Sequence, residues 1–238
     1  MIAHRSGEEN ALPAYFTKDT FQFLNQLRRN NNKAWFDDNR ERYHEQVRDP
    51  FLKLIKDFNP RLATVSEHYH GVEKAHGGAL FRIYRDTRFS KDKTPYKSWA
   101  GARFTHREAG RNGAPIYYLH VQPGNVFFAA GLWRPPGPMI NQIRTFLHNN
   151  PGAWTKLRDN KTFKRTFSWG GEQLKRTPRG YDADHPLADD LRRKDFVVSA
   201  SLSEAQAISS SFLTVLQRRC EQSASLMDYL CASLDLEF

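Results

Sequence analysis

Arg85, Arg88, Lys91, Lys93 and Lys97 fall within thirteen residues, interleaved with Asp86, Thr87, Ser90, Asp92 and Thr94 and with two aromatics, Phe89 and Tyr96. A guanidinium offers a planar fork that fits two oxygens of a phosphate or carboxylate, and an ammonium offers a mobile point charge. Hydroxyls and the free N–H groups of a turn complete such a site. Widening the window to Arg82 through Arg107 sets eight cations against two acids, although the whole chain carries 36 Lys and Arg against 26 Asp and Glu. The segment therefore reads as a loop that binds an anionic, phosphorylated ligand. Arg82, Arg85, Arg88, Lys91, Lys93 and Lys97 supply charge, Ser90 and Thr94 supply hydrogen bonds, Tyr96 lies among them, and Asp86 orients its Arg neighbours. The competing reading is a solvated loop in which Asp86 and Asp92 neutralise nearby cations while Phe89 and Tyr96 pin it to the core, since surface charge is common and surface ion pairs are weak.

A second basic cluster, Lys175, Arg176 and Arg179, is interrupted by Pro178 and Gly180 and followed by Arg192, Arg193 and Lys194. It is expected either as exposed turns or as a second arm facing the first loop across a cleft. His120 shares one side of an expected strand with Ile116 and Tyr118, because strand side chains alternate. It is a half-buried core histidine or, if chemistry follows binding, the catalytic acid or base, with Asp86 the other catalytic candidate. His68, His70, Glu73 and His76 have metal-ligand types, but their spacing fits no standard zinc motif. Asp182, Asp184 and His185 precede Pro186 as a helix start does, so no metal is expected. Hydrolase, nucleotide and dinucleotide signatures are absent, and the cofactor is left unknown. A pI near 9.7 with Phe89, Tyr96, Trp99 and Trp169 keeps nucleic acid among the partners to weigh, as stacking surfaces beside a charged backbone track. A basic face docked on an acidic protein is a third reading.

These residues must be held by elements that periodicity outlines. Thr17 or Thr20 caps a helix carrying Phe23, Leu24 and Leu27, and the asparagine run from Asn30 ends it. A second helix runs from Trp35 to Asp49, and Phe51, Leu54, Ile55, Phe58 and Leu62 form a stripe beyond Pro50. Strands are expected at Leu80–Tyr84, Ser98–Phe104, Ile116–Val121, Val126–Ala130 and Phe196–Ala200, with a hairpin turn at Gln122–Asn125. Further helices start near Pro138, Pro151 and Pro186, and Ser203 with Gln206 makes a capping box before a last helix carrying Ile208, Phe212, Val215 and Leu216. Helices, then antiparallel strands, then helices again predict an α+β fold. Its sheet should have about four to five strands, in one domain from residue 15 to 238 behind a loose tail, Met1–Ala14.

At 238 residues the chain buries enough surface for a core without staples. Two cysteines exclude a disulfide framework and point to a reducing, cytoplasmic setting, and neither a membrane span nor a signal peptide is visible. Arg85 through Ser90 and on to Tyr96 and Lys97 resembles the central motif of the domain-of-unknown-function family number 2461. So do Asn31 to Phe36, Tyr117 to Val121 with Gly131 beyond, Lys175 to Tyr181, Asp184 to Pro186, and Lys194 to Phe196. The resemblance spans Phe21 to the final helix. It implies the fold outline and the importance of these positions, and carries over no reaction or cofactor.

Overall fold

Thr17 starts the first helix, α1 (Lys18–Arg29), by accepting from the Asp19 amide at 3.2 Å, while the Thr20 hydroxyl accepts from the Thr17 amide at 3.1 Å. Its Phe23, Leu24 and Leu27 are all buried. The structure is a computed structural model and describes residues 14–109 and 113–238, so the expected tail lies outside the described residues except for Ala14. Asn32 caps α2 (Lys33–Asp38). After Asn39, α3 (Arg40–Tyr43) passes through a π-helical stretch, His44–Arg48, into α4 (Asp49–Ala63), so the expected second helix is really three consecutive pieces. Pro50 sits in the first turn of α4, where its missing N–H is not needed.

The six strands are β1 (Tyr69–His70), β2 (Ala100–His106), β3 (Ile116–Val121), β4 (Val126–Leu132), β5 (Ser168–Trp169) and β6 (Phe196–Leu202). They form one sheet in the order β1-β2-β3-β4-β6-β5, every neighbour antiparallel. The fold is α+β as expected, with one or two more strands because β1 and β5 are only two residues long. Gly124, at φ +75°, turns the β3–β4 hairpin, closed by the Asn125 amide on the Gln122 carbonyl at 2.9 Å. Leu80–Tyr84 is not a strand; it makes only the bridges Leu80 to Ala102 and Tyr84 to Tyr96. Alternating apolar residues signal an extended, half-buried chain, but a strand also needs a continuous backbone partner. Here the chain folds back on its own loop instead.

Alternation splits the sheet into two faces. Ala102, Phe104, Tyr117, Leu119, Phe128, Ala130, Val198 and Ala200 are buried on the face that α4 and the last helix, α10 (Phe212–Ala232), cover. The remaining helices are α5 (Gly137–Asn149), α6 (Pro151–Arg158), α7 (Lys161–Thr166), α8 (Ala188–Leu191) and α9 (Glu204–Ala207), the last started by the expected Ser203–Gln206 box. Ile208 falls outside α10, because the chain leaves α9 there before helix resumes at Phe212. Cys220 and Cys231 are free and buried on α10, where the Cys231 sulfur lies 3.2 Å from the Tyr69 hydroxyl. Among the described residues no helix is long and apolar enough to cross a membrane.

Candidate functional site: the open sheet face and the basic loop

The second face carries Arg103, Tyr118, His120, Phe127, Ala129, Val197 and Ser199, and among the described residues no helix lies across its centre. It forms a trough of about 570 Å³ floored by Tyr118, Phe127, Ala129 and Val197 and walled by Phe81, Trp99 and Trp133. Trp133 is 59 % exposed, an unusual position for so large an apolar side chain. Cations stand on the walls: Lys97 lies over Trp99, Arg103 over Phe81 and Arg134 over Trp133.

His120 lies beneath this floor, 7 % exposed, stacked on Phe127 with ring centres 4.6 Å apart. Gln122 Oε1, 3.1 Å away, accepts from Nε2–H, which leaves Nδ1 to accept from the Tyr118 hydroxyl at 3.0 Å. Burial holds the His120 pKa below its ordinary value, the Gln122 contact opposing this more weakly, so the ring is neutral near pH 7. Burial also raises the Tyr118 phenol, so both groups stay uncharged. Gly101 faces His120 across the β2–β3 pairing. A Cβ on Gly101 would stand 2.6 Å from the Tyr118 hydroxyl, so glycine is what lets that ring lie across β2.

Phe81 also borders a second hollow, of about 260 Å³, at the base of the basic loop. Arg82 and Tyr84 from the loop, Arg40, His44 and Arg48 from the α3–α4 helix, and His76 line it, and among the described residues no acidic side chain does. Arg40 is paired with Asp37 and Arg48 with Asp49, whereas Arg82 meets no partner among the described residues. Arg82 crowds Lys97, whose pKa is lowered first by burial and then by that neighbour. Sequence reasoning missed Arg40, His44 and Arg48. Their four-residue spacing, which puts them on one helical face, was the signal that could have found them.

Beyond this base the loop satisfies itself. Arg85 is bonded to Asp92 and Thr94, and Arg88 to both oxygens of Asp86. Asp92 is pulled down to about 2, mostly by the Thr94 amide and then by Arg85, and the Arg88 hydrogen bond likewise lowers Asp86. Lys93 donates to the Thr87 carbonyl at 2.9 Å, and Lys97 to the carbonyls of Arg82 and Tyr84. Thr94 donates to Asp92 at 2.8 Å. Tyr96 is in the core, stacked on Phe36 at 4.2 Å with its backbone clamped by Asn31. Lys91 and Ser90 have no side-chain partner among the described residues, and Phe89 at the tip is 96 % exposed. Asp86 pairs with Arg88 and not with its other neighbour Arg85, and no hydrogen bond joins it to His120.

Lys175, Arg176 and Arg179 are exposed and without side-chain partners among the described residues. Their segment is tied to the far side of the sheet by the Leu174 amide on the Arg192 carbonyl at 2.7 Å. The first arm pairs with β2 and the second leaves from β5. Strands β3, β4 and β6 lie between, a span of about 19 Å at the usual strand spacing. No hydrogen bond or ion pair joins the two arms among the described residues. They stand at opposite ends of the trough rather than gripping a common point. Among the described residues no group of three or more His, Cys, Asp or Glu is assembled for a metal.

Fold and site together define an α+β protein whose single sheet is covered by helices on one face and left as an aromatic trough with cationic walls on the other. The chain belongs to the conserved hypothetical protein family DUF2461, which it matches over residues 19–229. No curated protein matches it.

Proposed function

We propose that the protein binds an anionic, phosphorylated small molecule at the base of the Arg82–Lys97 loop, the phosphate in the basic hollow and an apolar body on the trough beyond Phe81. The observation that carries this reading is the hollow in which Arg82 meets Arg40, Arg48, His44 and His76 with no acid in its lining. Arg40 and Arg48 are each held by a neighbouring acid, but Arg82 has no side-chain partner among the described residues, so an arriving anion meets an uncompensated guanidinium, and the half-enclosed setting weakens solvent screening. The loop beyond it, held by its own carboxylates, serves to fix Arg82 rather than to meet the ligand. Buried free thiols fit a cytoplasmic location.

Phenyl phosphate is a suitable probe because it joins a phosphate to an aromatic body. Titration calorimetry should find it bound, and Arg82→Gln should weaken binding about tenfold or more, the loss expected when a charged hydrogen-bond donor is removed. Unchanged affinity in that variant, or no heat at about 10 mM, would sink the reading. Short single-stranded DNA that binds with a steep salt dependence, while phenyl phosphate does not bind, would instead favour nucleic acid on the aromatic trough.

A further inference from the structure

At the other end of the trough Ser199 borders a third hollow, of about 610 Å³ and wholly different in character. It forms where the sheet stops short. β5 begins only at Ser168, opposite Ser199, so among the described residues β6 from Ala200 onward has no strand on its outer side, and α7 and α10 flank the gap. The lining is Arg165 and Thr166 at the end of α7, Ser168, Ser199 and Ser201 on the strands, and Arg218, Arg219 and Gln222 on α10. Among the described residues it contains no acidic side chain.

Three guanidiniums thus share a hollow without a counter-charge. Arg165 and Arg218 make no ion pair or hydrogen bond through their side chains among the described residues. The four hydroxyls of Thr166, Ser168, Ser199 and Ser201 make none either. Arg219 donates from Nη1 to Gln222 at 2.7 Å, which orients it, but its Nε is buried with no acceptor. Burial and then the charge of Arg218 disfavour the charged form of Arg219. Other shielded arginines of this protein are treated differently. Arg158 and Arg193 both pair with buried Asp190, and Arg144 donates to the carbonyls of Leu191 and Arg193. Protein interiors rarely leave such a donor unmet.

We infer that this hollow is an anion site of its own, taking a multiply charged phosphate, either free or as the terminal group of a small phosphorylated molecule. The planar forks of Arg165 and Arg218 suit paired oxygens of a tetrahedral anion, Arg219, oriented by Gln222, adds a third guanidinium to the lining, and the hydroxyls of Thr166, Ser168, Ser199 and Ser201 complete the shell. The site lies across the sheet from the Arg82 hollow and needs none of that hollow's residues.

Calorimetry with inorganic pyrophosphate on the full chain tests it. Arg165 and Arg218 are exposed, so the double variant Arg165→Gln/Arg218→Gln should fold, which circular dichroism checks. With the proposal of the preceding section also correct, the isotherm has two sites. The double variant removes one with at least a tenfold loss of affinity, and Arg82→Gln removes the other. Binding abolished by Arg82→Gln and untouched by the double variant would overturn the inference while sparing the Arg82 site. Loss in the double variant alone would do the reverse. No heat from the wild-type chain at about 10 mM would overturn it. Repeating the titration with phenyl phosphate separates the two ligand sources: a phosphorylated molecule that reaches the trough through Ser199 binds more tightly than the inorganic ion, and a site for free phosphate does not.

Discussion

Phe127 and Phe128 are consecutive residues of β4, and they live in different environments. Phe128 faces the helix layer and is 2 % exposed, whereas Phe127 lies half-buried on the trough over His120. The same division runs through Tyr117 and Tyr118 on β3 and through Val198 and Ser199 on β6. A strand necessarily produces two faces; what differs is that α4 and α10 seal one of them and, among the described residues, no helix seals the other. Apolar surface on the sealed face stabilises the fold, and apolar surface on the open face is left available to a guest.

The largest test of this division is a pair of truncations. Phe128→Ala should cost about 3–5 kcal/mol in urea unfolding, as for an enclosed aromatic, and Phe127→Ala about 1–2 kcal/mol. Equal losses would mean that the trough is part of the core and would erase the distinction. Gly101→Ala comes next. Its Cβ meets the Tyr118 hydroxyl and, at 2.9 Å, the Leu119 carbonyl, and such overpacking costs about 1–3 kcal/mol. Adding Tyr118→Phe should recover only part of the loss, because the carbonyl contact remains; full recovery in a double-mutant cycle would place all of the strain on the open face. The smallest effect is in pH. A histidine whose folded pKa lies below the unfolded value binds more protons when unfolded, so the stability that neutral His120 contributes is present above its ordinary value of 6.5 and is lost as pH falls below it. Urea midpoints of the wild type and of His120→Gln should therefore converge from pH 7.5 to 5, and parallel curves would show that His120 is not shielded by the open-face aromatics.

The two ends of the trough show how far charge can be read from a sequence. The run from Arg82 to Lys97 is conspicuous because its cations are adjacent, but Asp86 and Asp92 are adjacent too, and they neutralise Arg88 and Arg85. Dense local charge is thus the charge most readily paired locally. Arg165, Arg218 and Arg219 attract no attention in the sequence, since the first is more than fifty positions from the others. Like Arg82, they stand without an acidic partner among the described residues. Arg40, His44 and Arg48 fall between these cases, because their period was legible but their meeting with Arg82 was not. His120 was legible as a residue of the face it shares with Tyr118, while its partner Gln122 was visible only as part of the turn.

The sequence by itself determined a helix start at Thr17 or Thr20 and another at Ser203, the β3–β4 hairpin around Gly124, and which residues alternate to which side of each strand. These depend on interactions within a few residues. Tertiary structure alone decided which side the helices would cover, that Leu80–Tyr84 would lack a strand partner, and which cations would end beside an acid. Coulombic and packing energies depend on distance in space, and for residues tens of positions apart only the completed fold sets that distance.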